Sequence, residues 1–441
     1  MQAPGYTGKR LGRSRRRLAT KILSVIIVTP FKNPLSLKNI AWAVWAVALC
    51  FLVVRFSAGG AHHDYTFNDY YAFNDYVLAG HHWIQSEYLY GNWRGFIYSP
   101  IVAAFFAPLS ILAPALAYLL WLLLNASVFF IGLSALLESN IIPDLKRESF
   151  ALIYILLVPC ALGNLDVGQA NPLVIGLLMF ALTALRREQW NVAAICIGLA
   201  TFFKIYPLAV GMLICVVAPR RFIWRLLLVL LVFALAPYLL QHWSYVTEQY
   251  KAWVATRASD NRLNYSIKYA PIDLWFLIHV IGHLPISTGL YTLMQIATGA
   301  LIAIFCLWGR WQAWNMQRVL CALFFLVSIW MTLCGPATEA HTYLLMAPAL
   351  IVALVKSFYD RQSFLLRALV SGAFFLQMLH TTRLDHLLHN KQAWVFIPQP
   401  LSALLFATYC LLWLLNDSFW TTSSQPSAVS NQQSACGRQT V

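Results

Sequence analysis

The residues best suited to chemistry in this 441-residue chain lie in short polar segments between long apolar blocks. The first segment, residues 62–98, carries Asp64 and Asp69 among many aromatic side chains. A carboxylate just beyond a membrane span can act as a general base that deprotonates a hydroxyl and makes its oxygen a nucleophile. The alternative is an ordinary solvated carboxylate in an outer loop. These two aspartates are therefore candidates for a general base.

A second polar segment joins two apolar blocks at residues 164–171 and holds Asp166, Gln169 and Asn171. Polar and charged groups inside a membrane are costly unless they are paired, so they mark candidate functional sites. The alternative is a helix-capping turn, because a proline directly after Asn171 is typical of the first turn of a helix. Both interpretations stay open for this segment.

Two further clusters combine charge with groups that accept or donate hydrogen bonds. Lys204 and Tyr206 stand between two short apolar blocks, where the lysine either binds an anion or extends its ammonium toward water. Glu339 and His341 lie at another block boundary, where they either orient each other or are packing residues. The long polar segment 241–285 adds two candidate cations, Arg257 and Arg262. Solvation in an outer loop is the default explanation for charged residues of this segment.

The elements that position these residues follow from the composition, which is 60% hydrophobic and 11% charged. A soluble domain is about 45–50% apolar and about 25% charged, so soluble, disordered and fibrous proteins are excluded. Long unbroken apolar runs also disfavour a transmembrane barrel, whose strands alternate apolar and polar residues. We therefore predict an all-α polytopic membrane protein.

The chain divides into three parts at the sequence level. Residues 1–38 form a basic segment expected in the cytoplasm, 39–415 the transmembrane domain, and 416–441 a polar tail expected to be disordered. Thirteen apolar blocks fall within the middle part, with two long polar segments expected outside, 58–95 and 241–285. An even number of crossings is needed if both termini are cytoplasmic, so we expect that one of 96–113 and 115–137 does not cross fully.

The net charge of +15 follows this topology. The predicted inside holds 22 basic and 6 acidic residues, and the predicted outside holds 9 and 10. This asymmetry obeys the positive-inside rule and accounts for the basic excess without a nucleic-acid partner. The candidate residues named above all lie on the predicted outside.

Several chemistries lack a sequence signature here. The chain has no phosphate-binding GxxxxGK[ST] loop, no GxGxxG after a strand, no HExxH and no DxD. The nine cysteines form no CxxC pair, and eight of them lie inside apolar blocks. We therefore expect no cofactor and no metal requirement.

The motifs together resemble those of the GT-C membrane glycosyltransferases, most closely family 87, the polyprenol-phosphate-mannose-dependent mannosyltransferases. The resemblance spans about residues 60–350 and depends on the order of its short motifs. They are Asn68-Asp69-Tyr-Tyr-Ala-Phe, then Leu78-Ala-Gly80, Tyr98-Ser-Pro100, Gly168-Gln-Ala-Asn171, Lys204-Ile-Tyr-Pro207 and the turn before His341.

This resemblance implies a bundle of roughly 12 transmembrane helices with an extracytoplasmic first loop. It implies transfer of a sugar, most often mannose, from a polyprenyl-phosphate donor to a lipid-linked or glycan acceptor, in a multi-pass inner-membrane protein. Asp69, or Asp64 in its place, would be the base. The donor phosphate and sugar would be bound by residues of the other clusters: Lys204, Tyr206, His341, Glu339, Gln169, Asn171, Arg257 and Arg262. The alternatives are a lipid-linked-glycan flippase and a non-enzymatic envelope-assembly protein.

Overall fold

A computed structural model describes residues 36–59, 72–91, 95–259, 271–336, 338–381, 396–416 and 420. The regular secondary structure of these residues is entirely helical, and they contain no strand, which confirms the all-α prediction. Asp64, Asp69 and Arg262 lie outside the described residues, as do most of the basic N-terminal segment and the polar tail.

The helices are numbered here in chain order. They are α1 (Leu37–Gly59), α2 (Ala72–Gln85), α3 (Pro100–Ser110), α4 (Pro114–Glu138), α5 (Phe150–Asp166), α6 (Asn171–Arg186), α7 (Trp190–Phe203), α8 (Pro207–Val217), α9 (Pro219–Leu235), α10 (Trp243–Ser259), α11 (Thr288–Trp311), α12 (Met316–Leu333), α13 (Ala347–Tyr359), α14 (Phe364–Thr381) and α15 (Pro398–Leu415). Each of the thirteen predicted apolar blocks corresponds to one of these helices within a few residues.

Seven helices of the described chain are long and apolar enough to cross a membrane, and six further apolar helices are shorter. The shortest, α3 and α8, have 11 residues each. At 1.5 Å per residue each is about 16 Å long, roughly half of a hydrocarbon core of about 30 Å. The shortness of α3 agrees with the expectation that one helix of the 96–137 pair does not cross fully, and the total of twelve crossings stays a prediction.

Proline divides the apolar sequence into these short helices. A proline stands in the first turn of α3, α4, α6, α8 and α9, where its missing N–H has no helical partner in any case. The previous helix ends before each of these prolines. The polar residues of the junctions, such as Lys204 between α7 and α8, are therefore placed between helix ends and not on a continuous helix face.

The packing of α4 against α6 sets the centre of the bundle. At their crossing, a Cβ added to Gly132 would lie 2.0 Å from the backbone oxygen of Gly176. Two helices approach this closely only where both present small residues, as is common in membrane proteins. By contrast, much of α9 and α11 is exposed and apolar, including Leu231 and Ile296, as expected of helices that face lipid. The short contact holds one end of α6, and hence the polar turn before it, close to α4.

Candidate active site

The turn between α5 and α6 is the centre of the polar region, and its shape requires glycine. Gly168 has a φ of +65°, in the left-handed region that L side chains rarely adopt. A Cβ at this position would also lie 2.6 Å from the Cβ of Phe73 at the start of α2. Gly168 therefore allows both the tight turn and the close approach of α2.

One face of α4 holds the backbone of this turn. The hydroxyl of Tyr118 donates to the carbonyl oxygen of Leu165 at 3.0 Å, and the indole N–H of Trp121 donates to that of Gly168 at 2.8 Å. Asn125 donates to the carbonyl of Gln169 at 3.1 Å and accepts from the N–H of Leu173 at 2.8 Å. The spacing of Tyr118, Trp121 and Asn125 places them on one side of the helix. These three residues were not among the predicted site residues, and their only sequence signal is the spacing of hydrogen-bonding side chains three and four residues apart in an apolar helix.

Asn171 joins three of the predicted motifs. Its amide donates to Oδ1 of Asn164 at 2.9 Å and to the backbone oxygen of His341 at 3.0 Å. Its Oδ1 accepts from the hydroxyl of Tyr206 at 3.0 Å. Asn171 and Tyr206 are both buried, with polar groups directed at the protein. Their position indicates that they hold the other site residues in place, whereas direct contact with a donor stays a prediction.

Lys204 is a partly buried cation of this region. It extends from the end of α7 with its ammonium 5.2 Å from the ring centroid of Tyr98, a cation–π contact. The residue after Tyr98 is also bound to α7, because the hydroxyl of Ser99 donates to the carbonyl of Phe202 at 2.8 Å. No carboxylate of the described chain lies within ion-pair distance of Lys204. A partly buried cation of this kind is suited to an anionic ligand.

His341 lies in a short 3-10 helix, Ala340–Leu345, and Glu339 is the N-cap residue of that helix. The imidazole of His341 faces α5, where a Cβ built on Gly163 would lie 3.7 Å from the ring. The carboxylate of Glu339 accepts from the backbone N–H of Thr342, and the Thr342 hydroxyl accepts from the Glu339 N–H at 3.1 Å. This reciprocal cap fixes the turn and brings His341 beside the 164–171 segment. Mutual orientation of the two side chains stays a prediction.

The described residues on either side of the 60–71 segment, which carries Asp64 and Asp69, lie beside the same turn. At the end of α1, the ring of Phe56 stacks on Tyr118 with centroids 4.0 Å apart. At the start of α2, the N–H of Phe73 donates to the carbonyl of Val167 at 3.2 Å. Both attachment points of residues 60–71 are therefore in contact with the turn or with the helix that holds it.

Arg257 is directed toward the same region by α10. One helical turn before it, the indole of Trp253 donates to the carbonyl of Ile97 at 3.3 Å, next to Tyr98. Residues four apart share a helix face, so Arg257 lies on the side of α10 that meets the 96–98 segment. Arg257 is half-buried, and it is the one cation predicted in the 241–285 segment that the structure describes.

A comparison with protein families matches residues 96–336 to glycosyltransferase family 87. The chain belongs to glycosyltransferase family 87. The match covers more than half of the sequence, so it confirms the resemblance drawn from the motifs and identifies a membrane glycosyltransferase. A search of curated proteins found none that matches.

The family 87 match contains most of the geometry described above. Tyr98, the 164–171 turn, Lys204 and Arg257 lie within it, whereas His341 lies just beyond its end. Membership of this family favours an enzyme over the two alternatives, a lipid-linked-glycan flippase and an envelope-assembly protein. It leaves the sugar, the donor and the acceptor open.

This family 87 chain also contains a buried aspartate that sequence analysis missed. Asp273 is fully buried, and its Oδ1 accepts from the backbone N–H groups of Trp275 and Phe276 at 3.0 and 3.4 Å. Burial raises the pKa of Asp273 to about 7. The adjacent Ile272 donates its N–H to the carbonyl of Thr338 and accepts from the hydroxyl of Tyr343, at 2.8 and 2.9 Å. The Asp273 turn thus supports the segment that carries His341.

No group of three or more His, Cys, Asp or Glu side chains among the described residues is arranged to hold a metal ion. Metal independence stays a prediction, which the chelation experiment below tests.

Proposed function

We propose that this membrane glycosyltransferase transfers a sugar, with mannose as the first candidate, from a polyprenyl-phosphate donor. The acceptor is a lipid-linked sugar or glycan on the extracytoplasmic side. The observation that carries the proposal is the convergence on Asn171, which draws together the 164–171 turn, Tyr206 and the backbone of His341. This brings the Lys204 and His341 segments to the 164–171 turn, which the start of α2 also contacts through the N–H of Phe73.

The lengths of α7 and α8 support a lipid-borne substrate. They have 14 and 11 residues, which correspond to about 21 Å and about 16 Å. The proposed topology puts the arginines at residues 186–187 and 220–221 on the cytoplasmic side. Because α7 is shorter than a hydrocarbon core of about 30 Å, Lys204 at its end would then lie roughly 10 Å inside the outer edge of that core. A phosphate attached to a lipid chain reaches such a recessed cation more readily than a water-soluble nucleotide sugar does.

The proposed reaction is a single displacement. Asp69, or Asp64 in its place, accepts the proton of the acceptor hydroxyl, and the acceptor oxygen forms a bond to C1 of the sugar. The bond between C1 and the phosphate oxygen breaks, and its electron pair leaves with the polyprenyl phosphate. Lys204, His341 and Arg257 stabilise the charge that develops on that phosphate. Because a phosphate is a good leaving group, the step needs little acid assistance and we propose that it needs no metal.

The direct test uses the purified full chain in lipid nanodiscs with polyprenyl-phosphate-mannose and a lipid-linked acceptor. We expect sugar transfer by the wild type and a loss of at least a hundredfold in kcat for Asp69→Asn or Asp64→Asn. Transfer is expected to persist in excess EDTA. If both asparagine variants keep wild-type activity, the base assignment is wrong, and if no polyprenyl-phosphate sugar is consumed by the wild type, the donor class is wrong.

A further inference from the structure

A single arginine stands at the outer end of the first helix. Arg55 is, apart from Lys38 near its other end, the one charged residue of the otherwise apolar α1. Its guanidinium forms an ion pair with Asp166, the last residue of α5. The two residues are 111 positions apart, and the pair connects the first helix to the start of the 164–171 segment.

The two partners of this ion pair differ in exposure. The side chain of Asp166 is 8% exposed, whereas that of Arg55 is 37% exposed. A guanidinium has five N–H donors, and within the described chain Arg55 uses one nitrogen, Nη1, for Asp166. The buried carboxylate therefore orients a cation whose other donors have no acceptor among the described residues.

The neighbours of Arg55 place these donors at the candidate site. The next residue, Phe56, stacks on Tyr118, whose hydroxyl binds the carbonyl of Leu165. Phe56 also meets Phe73 edge-on, with centroids 5.9 Å apart. Arg55 thus lies where the chain leaves α1 for the segment with Asp64 and Asp69 and close to the turn that contains Gln169.

We propose that Arg55 binds the phosphate group of the lipid-linked substrate and that Asp166 holds the guanidinium in the required orientation. This inference rests on the proposed function. The phosphodiester of the donor carries one negative charge, and the phosphate gains a second when its bond to C1 breaks. A planar guanidinium binds two phosphate oxygens at once, so its interaction strengthens as that charge develops.

The test must separate phosphate binding from simple neutralisation of Asp166. Arg55→Gln removes the ion pair of a buried carboxylate and is expected to lower the Tm. The double variant Arg55→Gln/Asp166→Asn removes both charges, so its Tm is expected to return toward the wild-type value. The measured quantity is the Kd of farnesyl phosphate for the full chain in phosphatidylcholine nanodiscs, which does not depend on sugar transfer.

We expect the double variant to bind farnesyl phosphate at least tenfold more weakly than the wild type while it remains folded. Lys38→Gln, which removes the other charge of α1, is the matched control and is expected to keep the wild-type Kd. If the double variant binds as tightly as the wild type, Arg55 serves only to neutralise Asp166 and the proposal is wrong.

Two further measurements complete the test. The first distinguishes a lipid phosphate from free phosphate, and the second distinguishes failure of the Arg55 proposal from failure of the proposed function. Inorganic phosphate is expected to compete at least a hundredfold less well than farnesyl phosphate, and equal competition would overturn the assignment to a lipid phosphate. If the wild type transfers the sugar but the double variant keeps the wild-type Kd, only the role of Arg55 is lost. If the wild type neither binds farnesyl phosphate nor transfers sugar, the proposed class of donor is wrong as well.

Discussion

The hydroxyl of Tyr206 donates a 3.0 Å hydrogen bond to Oδ1 of Asn171, across 35 residues of sequence. The bond joins the start of α8 to the start of α6, two helices that each begin at a polar junction. Because the amide of Asn171 also binds the backbone of His341, one side chain determines the spacing of three motifs.

Loss of this side chain is expected to affect both stability and catalysis. Asn171→Ala leaves the Tyr206 hydroxyl, Asn164 Oδ1 and the His341 carbonyl without their partner, which costs about 2 kcal/mol. Tyr206→Phe removes one bond of the three and is expected to cost about 1 kcal/mol or less. Thermal unfolding in nanodiscs and the transfer assay measure the two effects. Equal Tm values for the two variants would contradict the central role of Asn171.

Lys204 is expected to govern the affinity for the donor. Lys204→Met keeps much of the side-chain volume but removes the charge above Tyr98, so we expect the KM for the polyprenyl-phosphate donor to rise at least tenfold. The Tm should change little, because no carboxylate of the described chain loses an ion pair. Lys251→Met, at an exposed position of α10, is the matched control. An unchanged KM in Lys204→Met would remove the lysine from the donor site.

Gly168→Ala tests the shape of the turn. A φ of +65° costs an alanine about 1 kcal/mol or more, and the contact of 2.6 Å with Phe73 adds to this. We expect a loss of at least about 2 kcal/mol in the free energy of unfolding, with reduced activity. Gly91→Ala is the control, because a Cβ there meets no atom of the described residues within 4 Å. Indistinguishable unfolding of the two variants would show that the turn tolerates a side chain.

Asp273 predicts a dependence of stability on pH. Its carboxyl has a pKa of about 7 in the folded chain and an ordinary value near 3.8 when unfolded. Between these values the folded state holds a proton that the unfolded state has lost, so the contribution of this group falls as the pH rises from about 4 to about 7. Asp273→Asn removes the ionisation, and its Tm relative to wild type is expected to increase over that range. A constant difference in Tm from pH 4 to 8 would contradict the raised pKa.

Much of the fold was accessible from hydropathy and proline positions. The thirteen apolar blocks were recognisable because a membrane segment is uniformly apolar. Most of their ends coincide with a proline or with adjacent polar residues. The structure brings the predicted 164–171, 204–206 and 339–341 segments together, and the catalytic and binding roles of their residues stay predictions. Asp64, Asp69 and Arg262 lie outside the described residues, and their roles stay predictions.

The contacts that hold the site together were less predictable. Tyr118, Trp121 and Asn125 lie in a helix whose composition looks like that of any lipid-embedded segment, and their partners are backbone carbonyls, which carry no sequence signal. The pairing of Arg55 with Asp166 depends on how α1 packs against α5, which no local spacing encodes. Asp273 was not among the predicted site residues, because it belongs to a polar segment of the sequence and only the tertiary structure buries it.

The shortness of α8 has a consequence for the surrounding lipid. Met212 and Val216 are exposed on this helix. The apolar surface that α8 presents to acyl chains is therefore only about half as long as the hydrocarbon core is thick. A bilayer adapts to such a mismatch by thinning locally. Head groups near α8 are therefore expected to lie closer to the bilayer centre, and a lipid-borne sugar of the proposed donor class would have a shorter path to Lys204.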